Sequence, residues 1–192
     1  HNHNESISIK EISYWHKFLI NNNYKNIYLL GHSRGALNIT QYYLQMNKPD
    51  IKGVFLIAPT SKNVNDYIKI YKETYSINLK IKISEMLDRI KKKKEGYTKI
   101  NFFHCEQAMV HDNTFLSYYQ DNGKNLIDLL KKMSIPVFVF TASEDNIANL
   151  TFNKVKQLNH KTVKLTMIEG SGHMFRDLYL EEVMDTVLEI IQ

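Results

Sequence analysis

Three side chains in this sequence have the types and the order needed to attack a carbonyl group: Ser33, Asp145 and His173. Ser33 sits in Gly31-His32-Ser33-Arg34-Gly35, a Gly-x-Ser-x-Gly pentapeptide. A serine hydroxyl is a weak nucleophile until a base takes its proton, and the usual base is a histidine oriented by a carboxylate. When the serine occupies a strand-to-helix elbow, the acid and then the histidine follow it in the chain. Asp145 lies in Thr141-Ala142-Ser143-Glu144-Asp145-Asn146, with Glu144 as the alternative acid. His173 lies in Glu169-Gly170-Ser171-Gly172-His173-Met174-Phe175, where two glycines suit a loop that carries an imidazole back over a sheet edge. Each feature also has a plain structural reading. The glycines suit any strand-to-helix turn, an aspartate after a strand often caps a turn, and a lone histidine is more often a surface or core residue.

The elements around these residues decide between the readings. Ile27-Tyr28-Leu29-Leu30 is a short apolar run ahead of the pentapeptide. Behind it Ala36, Ile39, Tyr43 and Met46 recur at helical spacing. Strand, sharp turn and helix make a nucleophile elbow, with the serine in a strained backbone conformation near the positive end of the helix. Gly31 and Gly35 are expected to let the strand and helix approach closely. Pro136-Val137-Phe138-Val139-Phe140 is β-branched and aromatic and precedes Asp145. Val163-Lys164-Leu165-Thr166-Met167-Ile168 precedes the histidine loop. A further strand, Val54-Phe55-Leu56-Ile57-Ala58, is closed by Pro59.

On these motifs the chain resembles the α/β-hydrolase superfamily. The pentapeptide matches its elbow, 142–145 its acid loop and Gly172-His173 its histidine loop, so the resemblance runs over nearly the whole chain. It implies an α/β fold: a parallel sheet flanked by helices, with strands near 27–30, 54–58, 136–140 and 163–168 as neighbours in that order. It also implies Ser33 as nucleophile, His173 as general base and acid, Asp145 as orienting acid and the Arg34 backbone N–H as an oxyanion donor. Gly31, His32 and Gly35 complete the elbow. The implied reaction is ester or thioester hydrolysis through an acyl-enzyme, with no cofactor and no metal. Acyl transfer or another chemistry of this superfamily is the alternative, as is a non-catalytic binding module. A Ser33–His173 separation beyond about 5 Å would count against catalysis, even allowing for loose apo geometry.

The resemblance implies strands ahead of the elbow strand, but only 26 residues precede Ile27 and there is no initiator methionine. Those residues hold one helix, with Ile12, Trp15, His16 and Leu19 on one face. The N-terminal strands, and with them the loop that supplies the second oxyanion donor, are therefore expected to be missing from this segment. Loss of one donor costs about 10²–10³ in turnover. Strand 27–30 is expected to lie at an apolar sheet edge open to pairing.

Between the elbow half and the acid half the βα alternation stops. Residues 1–59 and 123–192 read as the hydrolase core, and 60–122 as a helical cap or lid insertion. Val64, Ile68, Tyr71 and Tyr75 mark one amphipathic helix; Leu79, Ile83, Met86, Leu87 and Ile90 mark a second. Phe102, Phe103, Met109, Phe115 and Tyr118, with Met174 beside the histidine, are the candidate substrate pocket, set against their serving simply as core. They favour an apolar acyl group on a small-molecule substrate.

Composition sets the outer bounds. A chain of 192 residues with 43% hydrophobic residues is long enough for one domain with a sizeable core. The net charge of +5 comes from a lysine-rich bias rather than a nucleic-acid surface. Its one dense run, Lys91-Lys92-Lys93-Lys94, reads as a solvated helix end. The single cysteine, Cys105, excludes an intrachain disulfide and reads as a buried small hydrophobe. His104 and His111 are not at the spacing of a helical zinc pair. No run is long enough for a transmembrane segment and no secretory signal is visible. The cytoplasm is then the default location.

Overall fold

The computed structural model describes residues 3–46, 49–120 and 125–192. The elements α1 (Glu5–Asn21), β1 (Ile27–His32), α2 (Arg34–Met46) and β2 (Ile51–Ile57) come first. They are followed by α3 (Val64–Tyr75), α4 (Leu79–Lys91), β3 (Tyr97–Phe102), β4 (Cys105–His111) and α5 (Asp112–Tyr119). Last come α6 (Leu126–Leu130), β5 (Val137–Ala142), α7 (Thr151–Leu158), β6 (Val163–Ile168) and α8 (Leu178–Ile191). Two compact units result: His1–Lys10 with Asn63–Gly123, and Glu11–Lys62 with Lys124–Gln192. No helix among the described residues is long and apolar enough to cross a membrane.

The second unit is built on a parallel sheet in the order β1-β2-β5-β6, the order read from the sequence. Its middle strands are continuous apolar runs because both faces are covered. On one face Phe55, Ile57, Phe138, Phe140 and Ile168 pack with Val183 and Val187 of α8. The rings of Phe55 and Phe138 stack with centroids 5.0 Å apart. Val54, Leu56, Val137 and Val139 alternate with these and are equally buried. α2 lies against β1 and β2, and α7 against β6. β1 ends the sheet, and Leu30 on it is 46% exposed.

Trp15 does not lie on the inward face of α1. It is 69% exposed, while His16 is buried. His16 takes the inward position because both its ring nitrogens find partners there, Tyr42 Oη at 2.7 Å and the Asp50 carboxylate. Trp15 points about 100° away round the helix.

The first unit holds more than helices. β3 and β4 form an antiparallel hairpin inside the insertion read from the sequence as helical. Its two-residue turn, Phe103-His104, lacks the glycine or asparagine that usually announces a hairpin. Phe103 nevertheless adopts φ 53°. Tertiary contacts hold it there: its N–H donates to Tyr119 Oη (2.7 Å) and its carbonyl accepts from Tyr75 Oη (2.7 Å). Tyr71 Oη donates to the Asn101 carbonyl (3.0 Å). Burial pushes the Tyr71 hydroxyl up to about 12 and raises those of Tyr75 and Tyr119 as well, so all three stay neutral near neutral pH, Tyr71 and Tyr75 as donors and Tyr119 as the acceptor of the Phe103 N–H. Cys105, expected to be buried, is exposed because it directly follows this turn.

The hairpin is fastened to α4 through Asp112, which is fully buried. Its carboxylate accepts from Arg89 Nε (2.8 Å), the Gly96 N–H (3.0 Å) and Thr98 Oγ1 (3.2 Å). Replacing it orphans the Gly96 and Thr98 donors, whereas the half-exposed Arg89 can turn to water. Asp112→Ala is therefore expected to destabilise this unit by about 1–3 kcal/mol. Hydrogen exchange should then quicken across α4, β3 and β4, while the parallel sheet keeps its protection.

Candidate active site

Ser33 occupies the single residue between β1 and α2. Its φ of 53° places it in the left-handed region, which costs a non-glycine residue on the order of 1–3 kcal/mol. The turn is held by Ser33 N–H donating to the Ile57 carbonyl at 2.8 Å. A Cβ on Gly31 would sit 2.7 Å from the backbone of Gly35 and Ala36, so the close approach demands glycine there. The expectation for Gly35 differs from what is found. A Cβ there would meet nothing within 4 Å, because the crossing point lies at Gly31.

Asp145 follows β5 and is 4% exposed. One carboxylate oxygen, Oδ1, accepts from the N–H groups of Ile147 (2.7 Å) and Ala148 (2.8 Å). The other, Oδ2, accepts from His173 Nδ1 at 2.8 Å. The turn-capping role and the histidine-orienting position thus coexist in one side chain. Glu144 is exposed, and its backbone N–H donates to the Ser171 carbonyl (2.9 Å).

His173 is carried by the loop after β6. Gly170 has φ 75°, and a Cβ on it would strike Tyr179 Oη at 2.8 Å. Its N–H donates to Ser143 Oγ (2.8 Å), tying the histidine loop to the acid loop. Phe175, buried with the core residues of α8, anchors the far side of the loop. With Nδ1–H given to Asp145, Nε2 is left to accept from the Ser33 hydroxyl at 3.0 Å. That separation lies well inside the 5 Å limit set from sequence. Arg34 is the first residue of α2, where helix N–H groups carry the positive end of the dipole. An acid, an imidazole and a hydroxyl in this line can pass a proton and raise the nucleophilicity of the oxygen.

Phe102, Phe103, Phe115 and Tyr118 come together, but in the aromatic cluster of the first unit, with ring centroids 4.7 to 6.3 Å apart. Phe115 is fully buried in that cluster, and Met109 is exposed on β4. Met174 is exposed beside His173. Among the described residues no group of His, Cys, Asp or Glu is placed to hold a metal ion. Sequence reasoning missed the backbone donors at Ile147 and Ala148 and the hydroxyl of Ser143. None carries a residue-type signal, since two act through the main chain and the third is an ordinary loop serine.

No curated protein sequence matches the chain. Solved structures do. An α/β-hydrolase from the sediment metagenome of the Mar Chica lagoon, Morocco, is 18% identical over 92% of this chain and 66% of its own, with a TM-score of 0.55. The monoacylglycerol lipase of Paleococcus ferrophilus is 15% identical over 99% of this chain and 76% of its own, with a TM-score of 0.60. An esterase of Exiguobacterium antarcticum is 14% identical over 98% and 74%, with a TM-score of 0.59. The chain therefore spans just under two thirds of the first of these and about three quarters of the other two. These likenesses carry the fold. The family follows from the sequence itself: residues 9–177 match the family described as serine aminopeptidase, S33. The chain belongs to that hydrolase family, within the α/β-hydrolase superfamily.

Proposed function

We propose that this protein is a serine hydrolase acting on esters or thioesters. Ser33 Oγ attacks the acyl carbonyl while His173 Nε2 takes its proton, and the Arg34 N–H donates to the oxyanion. His173 then protonates the leaving group, and a water deprotonated by the same nitrogen releases the acyl group from Ser33. Asp145 keeps the imidazole in the tautomer this cycle needs. The observation that carries the reading is the unbroken line Asp145–His173–Ser33, at 2.8 and 3.0 Å, with the serine at a strained elbow. The insert at 60–122 is assigned the role of a cap that selects an apolar acyl group. The outer edge of β1 is where a further strand would add to the sheet.

The esterase and lipase among the structural neighbours favour an oxygen ester, whereas the family description favours a peptide amide. The two are separated by a panel of p-nitrophenyl acyl esters, acyl thioesters and amino-acid p-nitroanilides. The ester reading expects turnover of the first group, rising with acyl length, and little of the last.

A fluorophosphonate probe is expected to label the chain, and Ser33→Ala to abolish the labelling. Persistent labelling of the variant, or none of the folded wild type, would overturn the assignment. Asp145→Asn should preserve folding but slow labelling by roughly 10⁴, since the amide favours the wrong imidazole tautomer. The rate constant of probe attachment is the measurement.

A further inference from the structure

His32 is the neighbour of the nucleophile, and its side chain reaches the main chain of the residue proposed as the base. Its Nε2 lies 2.7 Å from the carbonyl oxygen of His173. A carbonyl only accepts, so Nε2 carries the hydrogen and donates. The two imidazole rings lie side by side, with centroids 4.9 Å apart and planes inclined at 54°. Both residues belong to the unit that holds the parallel sheet.

The contact closes a small circuit. Ser33 Oγ meets His173 Nε2, and the residue joined to Ser33 by a peptide bond grips the His173 backbone. Other polar ties of the histidine loop run to the acid loop: Gly170 N–H to Ser143 Oγ, Glu144 N–H to the Ser171 carbonyl, and His173 Nδ1 to Asp145. They fix His173 relative to Asp145. The His32 side chain ties the elbow to the main chain of the histidine loop. Gly172 precedes His173; a Cβ there would touch nothing within 4 Å, and its carbonyl accepts from within the loop, from the Phe175 N–H and Ser171 Oγ, both at 3.1 Å.

We infer that His32 is a positioning residue: its Nε2–H holds the His173 carbonyl so that the imidazole stays within reach of the Ser33 hydroxyl. The inference rests on the proposed roles of Ser33 and His173. A displacement of about 1 Å between reacting groups costs on the order of 10² in rate. His32→Leu keeps apolar bulk and removes the donor. His32→Gln places an amide N–H at a similar reach.

The test follows fluorophosphonate attachment to the 192-residue chain together with the downfield proton NMR signal of His173 Nδ1–H. His32→Leu is expected to slow attachment about 10- to 100-fold and to shift or broaden that signal. His32→Gln should recover attachment to within about threefold and restore the signal. A leucine variant that labels at the wild-type rate, or a glutamine variant no better than leucine, overturns the role of His32 while leaving Ser33 as nucleophile. If the wild type itself fails to label, the hydrolase reading falls, and the proton signal still decides the positional question. An unchanged signal in His32→Leu overturns the positioning, and a signal lost in leucine and regained in glutamine supports it.

Discussion

Backbone pairing continues past the ends of the strands, and everything at the site hangs from it. Ser33 N–H donates to the Ile57 carbonyl, Ala58 N–H to the Phe140 carbonyl and Ser143 N–H to the Ile168 carbonyl, at 2.8, 2.8 and 3.1 Å. Each bond joins the residue leaving one strand to the carboxyl-terminal part of the next. The elbow, the exit of β2, the acid loop and the end of β6 thus form a flight of steps along the carboxyl edge of the sheet. Parallel pairing makes this arrangement possible, because it brings all the carboxyl ends to one edge. The apolar runs that fill both sheet faces therefore do more than stabilise the unit. They set the register in which three distant loops meet.

On that edge the demands fall on few side chains. Asp145 must orient an imidazole and end a turn at once, and its two oxygens divide those tasks. An aspartate suits both because its short side chain keeps the carboxylate close to its own following N–H groups. Glu144, one residue earlier, faces outward and serves through its backbone. The same economy appears in the insert, where tyrosine hydroxyls replace turn-forming residues in fixing the hairpin.

The sequence was most legible where one residue type answers one physical need. Val54-Phe55-Leu56-Ile57 can only be a doubly covered strand or a buried helix, and Pro59 and its neighbours favour the strand. Gly31 was legible for the same reason, since no Cβ fits. Gly35 was misleading: it completes the motif but faces no steric demand. The hairpin at 97–111 was illegible because Phe103 occupies a left-handed turn position on the strength of partners distant in sequence. Trp15 and Cys105 were placed inside by their residue types; His16 takes the inward position beside the first, and the second follows directly on the hairpin turn. Just ahead of the unit boundary at Lys62/Asn63 the chain is tied to α7 by Thr151, whose hydroxyl donates to the Pro59 carbonyl and accepts from the Ser61 N–H. No local pattern announces a contact across 90 residues.

The distance along the chain between Ser33 and His173 has a temporal meaning. The two residues are 140 apart in sequence. At a synthesis rate of about 5–20 residues per second, roughly 7 to 28 seconds separate their appearance on the ribosome. Throughout that interval the serine is an ordinary hydroxyl on an unfinished sheet, with no imidazole to take its proton. In the proposed mechanism reactivity arrives only when β6 has paired and its loop has closed over the edge, which would leave a growing chain silent toward the esters and thioesters around it.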